Sequence, residues 1–236
     1  MRSSRERLCN LYTLPDSYLK LPNTLNAMPD LLQQWIRPAF LTPAAILRLR
    51  RVFQASQPYP HLALQNLLLP RKLTAVRSAF LKQPFVRKES DLFSFLQTPR
   101  DLATAPQLRA FHALFTSRAF LEYIESITGV SGLTRADMSG FIYERGDHLL
   151  PHDDRLSGRR IAYVFNLSQR FSARDGGALT LFDTESGKPT KPAEHILPTD
   201  NMLVLFQVSP ISFHQVDEVL TKKRRMTIAG WFHGGK

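Results

Sequence analysis

The chain has 236 residues, a net charge of +11 and 43% hydrophobic residues, the composition of a folded protein with a sizeable core rather than a disordered one. No apolar run approaches the ~20 residues of a membrane-crossing helix, and Arg2, Arg5 and Arg7 have no apolar stretch behind them of the kind a secretory leader needs. Cys9 is the only cysteine, which excludes an internal disulfide and a cysteine-based zinc cluster and predicts a reducing, cytoplasmic setting.

The charge is uneven. Residues 1–100 hold 15 Lys/Arg against 5 Asp/Glu, and residues 101–236 hold 16 against 15. A basic N-terminal part of this kind fits either a weak contact with RNA or a solvated surface with no partner. Residues 1–26 read as loosely structured, because Pro15 and Pro22 interrupt any period. Apolar spacing predicts helices over Ala27–Arg37 and Thr42–Gln54, the second with Thr42 as cap and Pro43 in the first turn. His61–Leu69 reads as a strand running into a helix over Pro70–Leu81. Helical patterns follow at Ser90–Leu96, Pro106–Leu114 and Ser117–Thr128, with Gly129 as a stop. The period then shortens to two. Met138–Glu144, Ile161–Ser168, Ala178–Phe182, Met202–Val208, Ile211–Val216 and Met226–Phe232 read as strands, with turns at Gly176-Gly177 and Ser209-Pro210. Helices followed by strands predict an α+β fold, an antiparallel sandwich or barrel buttressed by N-terminal helices.

Seven histidines are present. His152 and Asp154 stand two apart, and in extended chain such positions share a face. His214, on a later strand-like segment, can supply a third ligand. Two imidazoles and a carboxylate form a facial triad that suits Fe(II) and leaves positions open. Arg225 follows eleven residues after His214 and offers a planar fork for a carboxylate, with Thr227 sharing its face. A one-residue shift in register would put Arg224 there instead. The other candidates have plainer readings: Trp231 and His233 as packing, His148 and Asp147 as turn groups, His195 as surface. Lys88–Arg100 contains a candidate cover for a site, or an ordinary surface connection.

Five stretches taken together resemble a known family: Gly146–Asp154 (GDHLLPHDD), Gly158–Ala162 (GRRIA), Gly176–Leu179 (GGAL), Val208–Val216 (VSPISFHQV) and Gly230–Gly234 (GWFHG). In this order they resemble the Fe(II)- and 2-oxoglutarate-dependent dioxygenases, within the prolyl 4-hydroxylase-like group and nearest the ribosomal prolyl hydroxylases. The resemblance spans residues 57–236 and leaves 1–56 as a basic, partly helical N-terminal extension. It implies a double-stranded β-helix (a jelly-roll) with helical support over 70–128 and a core over 137–233.

The same resemblance implies His152, Asp154 and His214 as iron ligands, Arg225 on the distal carboxylate of 2-oxoglutarate, and Tyr143 beside it. Asn166 stands where relatives often carry tyrosine. The implied requirements are Fe(II), 2-oxoglutarate as co-substrate and dioxygen, with ascorbate as a supporting reductant. The implied reaction couples oxidative decarboxylation of 2-oxoglutarate to hydroxylation of a protein side chain, a prolyl residue first, in a ribosomal or translation-associated partner. The ribosomal enzymes of eukaryotes carry a second, iron-free copy of the fold for which this chain is too short. Two other readings stay open on the basic charge: oxidative demethylation of nucleic acid at the same site, and a non-catalytic β-helix module that binds RNA or ribosomes.

Overall fold

In the computed structural model, residues 30–99, 102 and 106–235 are described; the readings for residues 1–26, Cys9, the start of the first helix at Ala27, and Arg100 lie outside them. The first two helices are α1 (Asp30–Trp35) and α2 (Pro43–Ala55). The Thr42 hydroxyl accepts from the Ala45 N–H at 3.2 Å, as its capping position predicts. Strand β1 (His61–Gln65) and helix α3 (Pro70–Phe80) follow. Helices α4 (Pro106–Thr116) and α5 (Arg118–Thr128) come next. Ser117 caps α5, and Gly129, at φ +79°, ends it by donating to the Glu125 carbonyl.

The remaining strands are β4 (Leu133–Ala136), β5 (Ser139–Tyr143), β6 (His148–His152), β7 (Arg159–Asn166), β8 (Leu179–Glu185), β9 (Lys188–Ile196), β10 (Met202–Gln207), β11 (His214–Val216) and β12 (Arg225–Gly234). The helical pattern over Ser90–Leu96 is corrected. Those residues belong to an antiparallel hairpin of β2 (Val86–Ser90) and β3 (Phe93–Gln97). Leu92, Phe93 and Leu96 mimic a helical stripe, but Phe93 and Phe95 are what the second core cluster takes up, and they stand two apart. The stretch weighed as a site cover is thus, through Gln97, this hairpin and its turn.

All strands pair antiparallel in the order β1-β10-β7-β12-β5-β3-β6-β11-β8-β9, with β2 outside β3 and β4 along the far end of β12. Strand β3 turns the corner. Its Leu96 and Gln97 pair with β5, and its Phe93 and Ser94 pair with β6. The two ends of the order approach each other, where His61 Nε2 lies 3.0 Å from Glu194 and the Tyr59 hydroxyl donates to the Phe213 carbonyl. The result is a nearly closed double-stranded β-helix, the fold expected.

Strand parity divides the core in two. Tyr163 and Phe165 of β7, Leu203 and Leu205 of β10, and Ile228 and Phe232 of β12 face the helices. There Phe115 stacks on Tyr163 and Phe111 on Phe165, with ring centres 4.9 and 5.3 Å apart. Buried residues of α1 and α2 join the same cluster. The alternate residues, Ala162 of β7, Val204 and Phe206 of β10, and Leu179 and Leu181 of β8, line the barrel interior. Helices therefore hold one wall rigid from behind while its other face is left for chemistry.

Asp147, in the turn between β5 and β6, ties this wall to the hairpin. Its carboxylate accepts from the Glu144 N–H at 2.8 Å, the Ser94 hydroxyl at 2.6 Å and the Arg87 guanidinium. Burial raises its pKa, but these donors outweigh burial and hold it below the usual carboxylate range. Asp147→Asn should cost about 1–3 kcal/mol in urea denaturation at neutral pH, because it leaves buried donors poorly matched. The native contribution is complete above the ordinary carboxylate pKa and is lost as pH falls below it, so the gap between the two proteins should close on acidification.

A candidate iron and 2-oxoglutarate site

Strands β6 and β11 pair with His152 opposite His214. Asp154 lies just past the end of β6. The nitrogen and oxygen atoms these three residues offer all lie within 4.8 Å of one another. His152 Nε2 is 3.4 Å from Asp154 Oδ1, and His214 Nε2 is 3.3 Å from Oδ2. The convergence expected from sequence is met, but by a different route. Asp154 is not extended. Its φ of +60° puts it in the left-handed region, and that turn, rather than strand alternation, swings its carboxylate back between the imidazoles.

Both histidines are set as metal ligands need to be. His152 Nδ1–H donates to the Leu150 carbonyl and His214 Nδ1–H to the Ser212 carbonyl, each at 2.9 Å. Those bonds orient the rings and leave both Nε2 atoms facing Asp154. Burial alone would raise the Asp154 pKa, yet the two imidazoles hold it well below the usual carboxylate range. The carboxylate is therefore ionised and ready to take a cation. Two imidazoles and one carboxylate fit Fe(II).

The three groups open into a cavity of about 260 Å³ inside the barrel. Parity of β12 sends Arg225, Thr227, Ala229 and Trp231 into it. Arg225 is 2% exposed. Its Nε–H donates to the Gly177 carbonyl at 2.8 Å, and among the described residues no carboxylate pairs with it within 4.0 Å. Gly176 makes this possible: at φ +68° its missing Cβ would stand 2.0 Å from the Glu218 carbonyl oxygen, so the turn that delivers the Gly177 carbonyl needs glycine. The shifted register does not occur. Arg224 lies outside, paired with Glu144 at 2.9 Å.

Tyr143 lies across from Arg225 in register, its ring 5.0 Å from the guanidinium carbon. Burial pushes its hydroxyl up to about 12 against the opposing pull of Arg225, so it remains an O–H donor. A buried cation without a counter-ion, flanked by an O–H donor and the Thr227 hydroxyl, fits a carboxylate that arrives with a ligand. Asn166 also belongs to the inner parity, opposite Thr227 in register, but it does not line the cavity. Its Nδ2 donates to the Met202 carbonyl at 3.4 Å, and its buried Oδ1 has no partner.

Two side chains at the site escaped the sequence reading. Trp231, read as packing, donates its indole N–H to Asp154 Oδ2 at 3.0 Å. Arg159 lies over the Trp231 ring, its guanidinium carbon 3.3 Å from the ring centre. The two-residue spacing of Trp231 from Ala229, Thr227 and Arg225 was a signal for the first; the second stands in the Gly158–Ala162 stretch, where no role was read for it. The plainer readings of the other histidines hold. His233 binds Asp137 at 2.9 Å beside Arg135, and His195 is a half-exposed neighbour of Thr180 and Asp217 on β9.

Residues 138–233 match the 2OG-Fe(II) oxygenase superfamily. The prolyl 3-hydroxylase OGFOD1 of Xenopus laevis is 37% identical over 185 residues, covering 76% of this chain and 36% of that protein. The prolyl 3,4-dihydroxylase OGFOD1 of Ostreococcus tauri is 36% identical over 197 residues, covering 75% and 38%. The chain thus spans little more than a third of the curated relatives it matches. Among solved structures, a Pseudomonas putida prolyl-4-hydroxylase superposes with a TM-score of 0.64 at 17% identity, over 80% of this chain and all of the other. A Trichoplax adhaerens prolyl hydroxylase, solved with a hypoxia inducible factor peptide, gives 0.62 at 18% identity over 81% and 91%. The fold, the matched segment and a His-Asp-His group that fits iron agree, and residues 138–233 form a 2OG-Fe(II) oxygenase domain.

Proposed function

We propose that this protein is a prolyl hydroxylase acting on a polypeptide, with His152, Asp154 and His214 holding Fe(II) and Arg225 holding 2-oxoglutarate. One observation carries the proposal: a buried, unpaired guanidinium shares a cavity with three converging metal-ligand side chains. When bound, iron, 2-oxoglutarate and dioxygen would supply the oxidant, with succinate and carbon dioxide as the co-products.

The protein's own groups do the rest. Arg225 would fix the distal carboxylate, with Tyr143 and Thr227 placed to donate to it. Leu179, Val164, Phe141 and Phe206 give the cavity an apolar lining, which would strengthen each of those contacts. The Nδ1–H bonds to Leu150 and Ser212 hold the imidazoles in ligating orientation. Ascorbate acts only as a supporting reductant. The names of the curated relatives support a prolyl target. The domain division belongs to the same proposal: residues 57–236 as the catalytic unit, with helical support over 70–128 and a core over 137–233, and 1–56 as a basic, partly helical N-terminal extension. A ribosomal or translation-associated partner, a weak RNA contact through the basic N-terminal part and a cytoplasmic location complete the proposal. No described helix is long and apolar enough to cross a membrane.

Purified protein with Fe(II), 2-oxoglutarate and proline-bearing ribosomal protein should release succinate and add 16 Da to proline, read by mass spectrometry. His152→Ala and Asp154→Ala should abolish both. Succinate release that survives in either variant would sink the assignment. Arg225→Met offers an independent check. It removes a buried cation that nothing neutralises, so the unliganded protein should be as stable as wild type or more so, by up to about 2 kcal/mol in urea denaturation. The same variant should lose 2-oxoglutarate binding by calorimetry under argon. Marked destabilisation would make Arg225 a structural residue instead.

A further inference from the structure

Asp154 carries the only carboxylate of the converging group, and its placement is precarious. The residue holds a left-handed φ of +60° that a non-glycine residue adopts at a cost. It lies outside the ladder that fixes His152 and His214. Some other interaction must hold it.

Arg159 and Trp231 supply that interaction from two different strands. The Arg159 Nη1–H donates to the Asp154 backbone carbonyl at 3.1 Å and comes within 3.8 Å of its Oδ1. The Arg159 guanidinium also lies over the Trp231 ring, its central carbon 3.3 Å from the ring centre. The Trp231 indole N–H in turn donates to Asp154 Oδ2 at 3.0 Å. One guanidinium therefore touches the backbone of Asp154, its carboxylate and the ring that orients that carboxylate. The contacts form a closed loop in which no member can move alone. Because Oδ2 already accepts the indole proton, Oδ1 is the freer oxygen for a cation.

We infer that Arg159 and Trp231 are positioning residues that clamp Asp154, fixing its turn and presenting its carboxylate to a divalent metal ion through a single oxygen. The inference rests on the metal reading of His152, Asp154 and His214. The two components act differently. The indole N–H supplies direction, and the guanidinium plane supplies stiffness, since it pins the ring and the carbonyl at once. An ammonium group could keep the charge but could not lie flat on the ring while donating sideways.

The test is Co(II) titration of wild type, Arg159→Ala, Arg159→Lys and Trp231→Phe, followed by the visible absorption of the bound ion, with far-UV circular dichroism to check folding. Loss of an outer hydrogen-bond partner commonly weakens metal binding about 10- to 100-fold. Arg159→Ala and Trp231→Phe should fall in that range and should change the shape of the Co(II) band, because a loosened carboxylate can bind through both oxygens. Arg159→Lys should not rescue. Trp231→Phe keeps the ring and most of the volume, so it carries the test if Arg159→Ala does not fold. Variants that bind within twofold of wild type with an unchanged band would overturn the clamp and leave the metal site standing. A wild-type protein that takes up no Co(II) would overturn the metal reading and the clamp with it.

Discussion

A guanidinium removed from water, with no carboxylate among the described residues within 4.0 Å of it, is the constraint around which the barrel interior is organised. Arg225 is among the largest fully buried side chains, and burial lowers its pKa against the weaker opposing pull of Tyr143 and Asp217. A charge in that position is unfavourable unless something neutralises it. The fold does not remove the penalty. It makes one backbone bond, to the Gly177 carbonyl, and leaves the rest of the fork to the cavity. In the proposed function such a residue would weaken the empty protein and strengthen the loaded one. That is the behaviour expected of a binding group rather than of a structural one.

The rest of the architecture follows from having to aim that group. Strand β12 lies between β5 and β7, so its register is fixed on both sides. Shifting it by one residue would expose the face bearing Ile228 and Phe232 to the cavity and put Arg225 among the helices. The aromatic stack of Phe111, Phe115 and Phe120 against Phe165, Tyr163 and Phe232 opposes such a shift. The helical layer therefore has a functional consequence although none of its residues reaches the site. It locks the parity that decides which side chains meet the ligand.

The long periodic elements were legible from the sequence because local and tertiary signals agree there. Ser117 and Gly129 bracket a helix whose buried Phe120, Ile124 and Ile127 follow helical spacing. Strand β7 alternates so regularly that both cores can be read from it. Legibility failed where prolines or short windows intervened. Pro151 hid β6, and Pro189 and Pro192 hid β9, an edge strand that tolerates them because only one neighbour pairs with it. In Ser90–Leu96 a seven-residue window carried both periods, and only the partner strands decided between them.

The site was legible as a set of residues but not as a geometry. His152, Asp154 and His214 converge as expected, yet the rule that suggested the pairing of the first two does not operate, since Asp154 has left the strand. A spacing of two was compatible both with strand alternation and with a strand end followed by a left-handed residue. Only the second brings the carboxylate between the rings. This explains why the supporting residues escaped notice. An extended Asp154 would need no clamp, so Arg159 and Trp231 had no apparent task, whereas a left-handed one requires an outside partner for its carbonyl and carboxylate. With Asp154 in the left-handed region, the basic residue opening β7 and the last inward ring of β12, read from sequence as packing, become part of how the site is built.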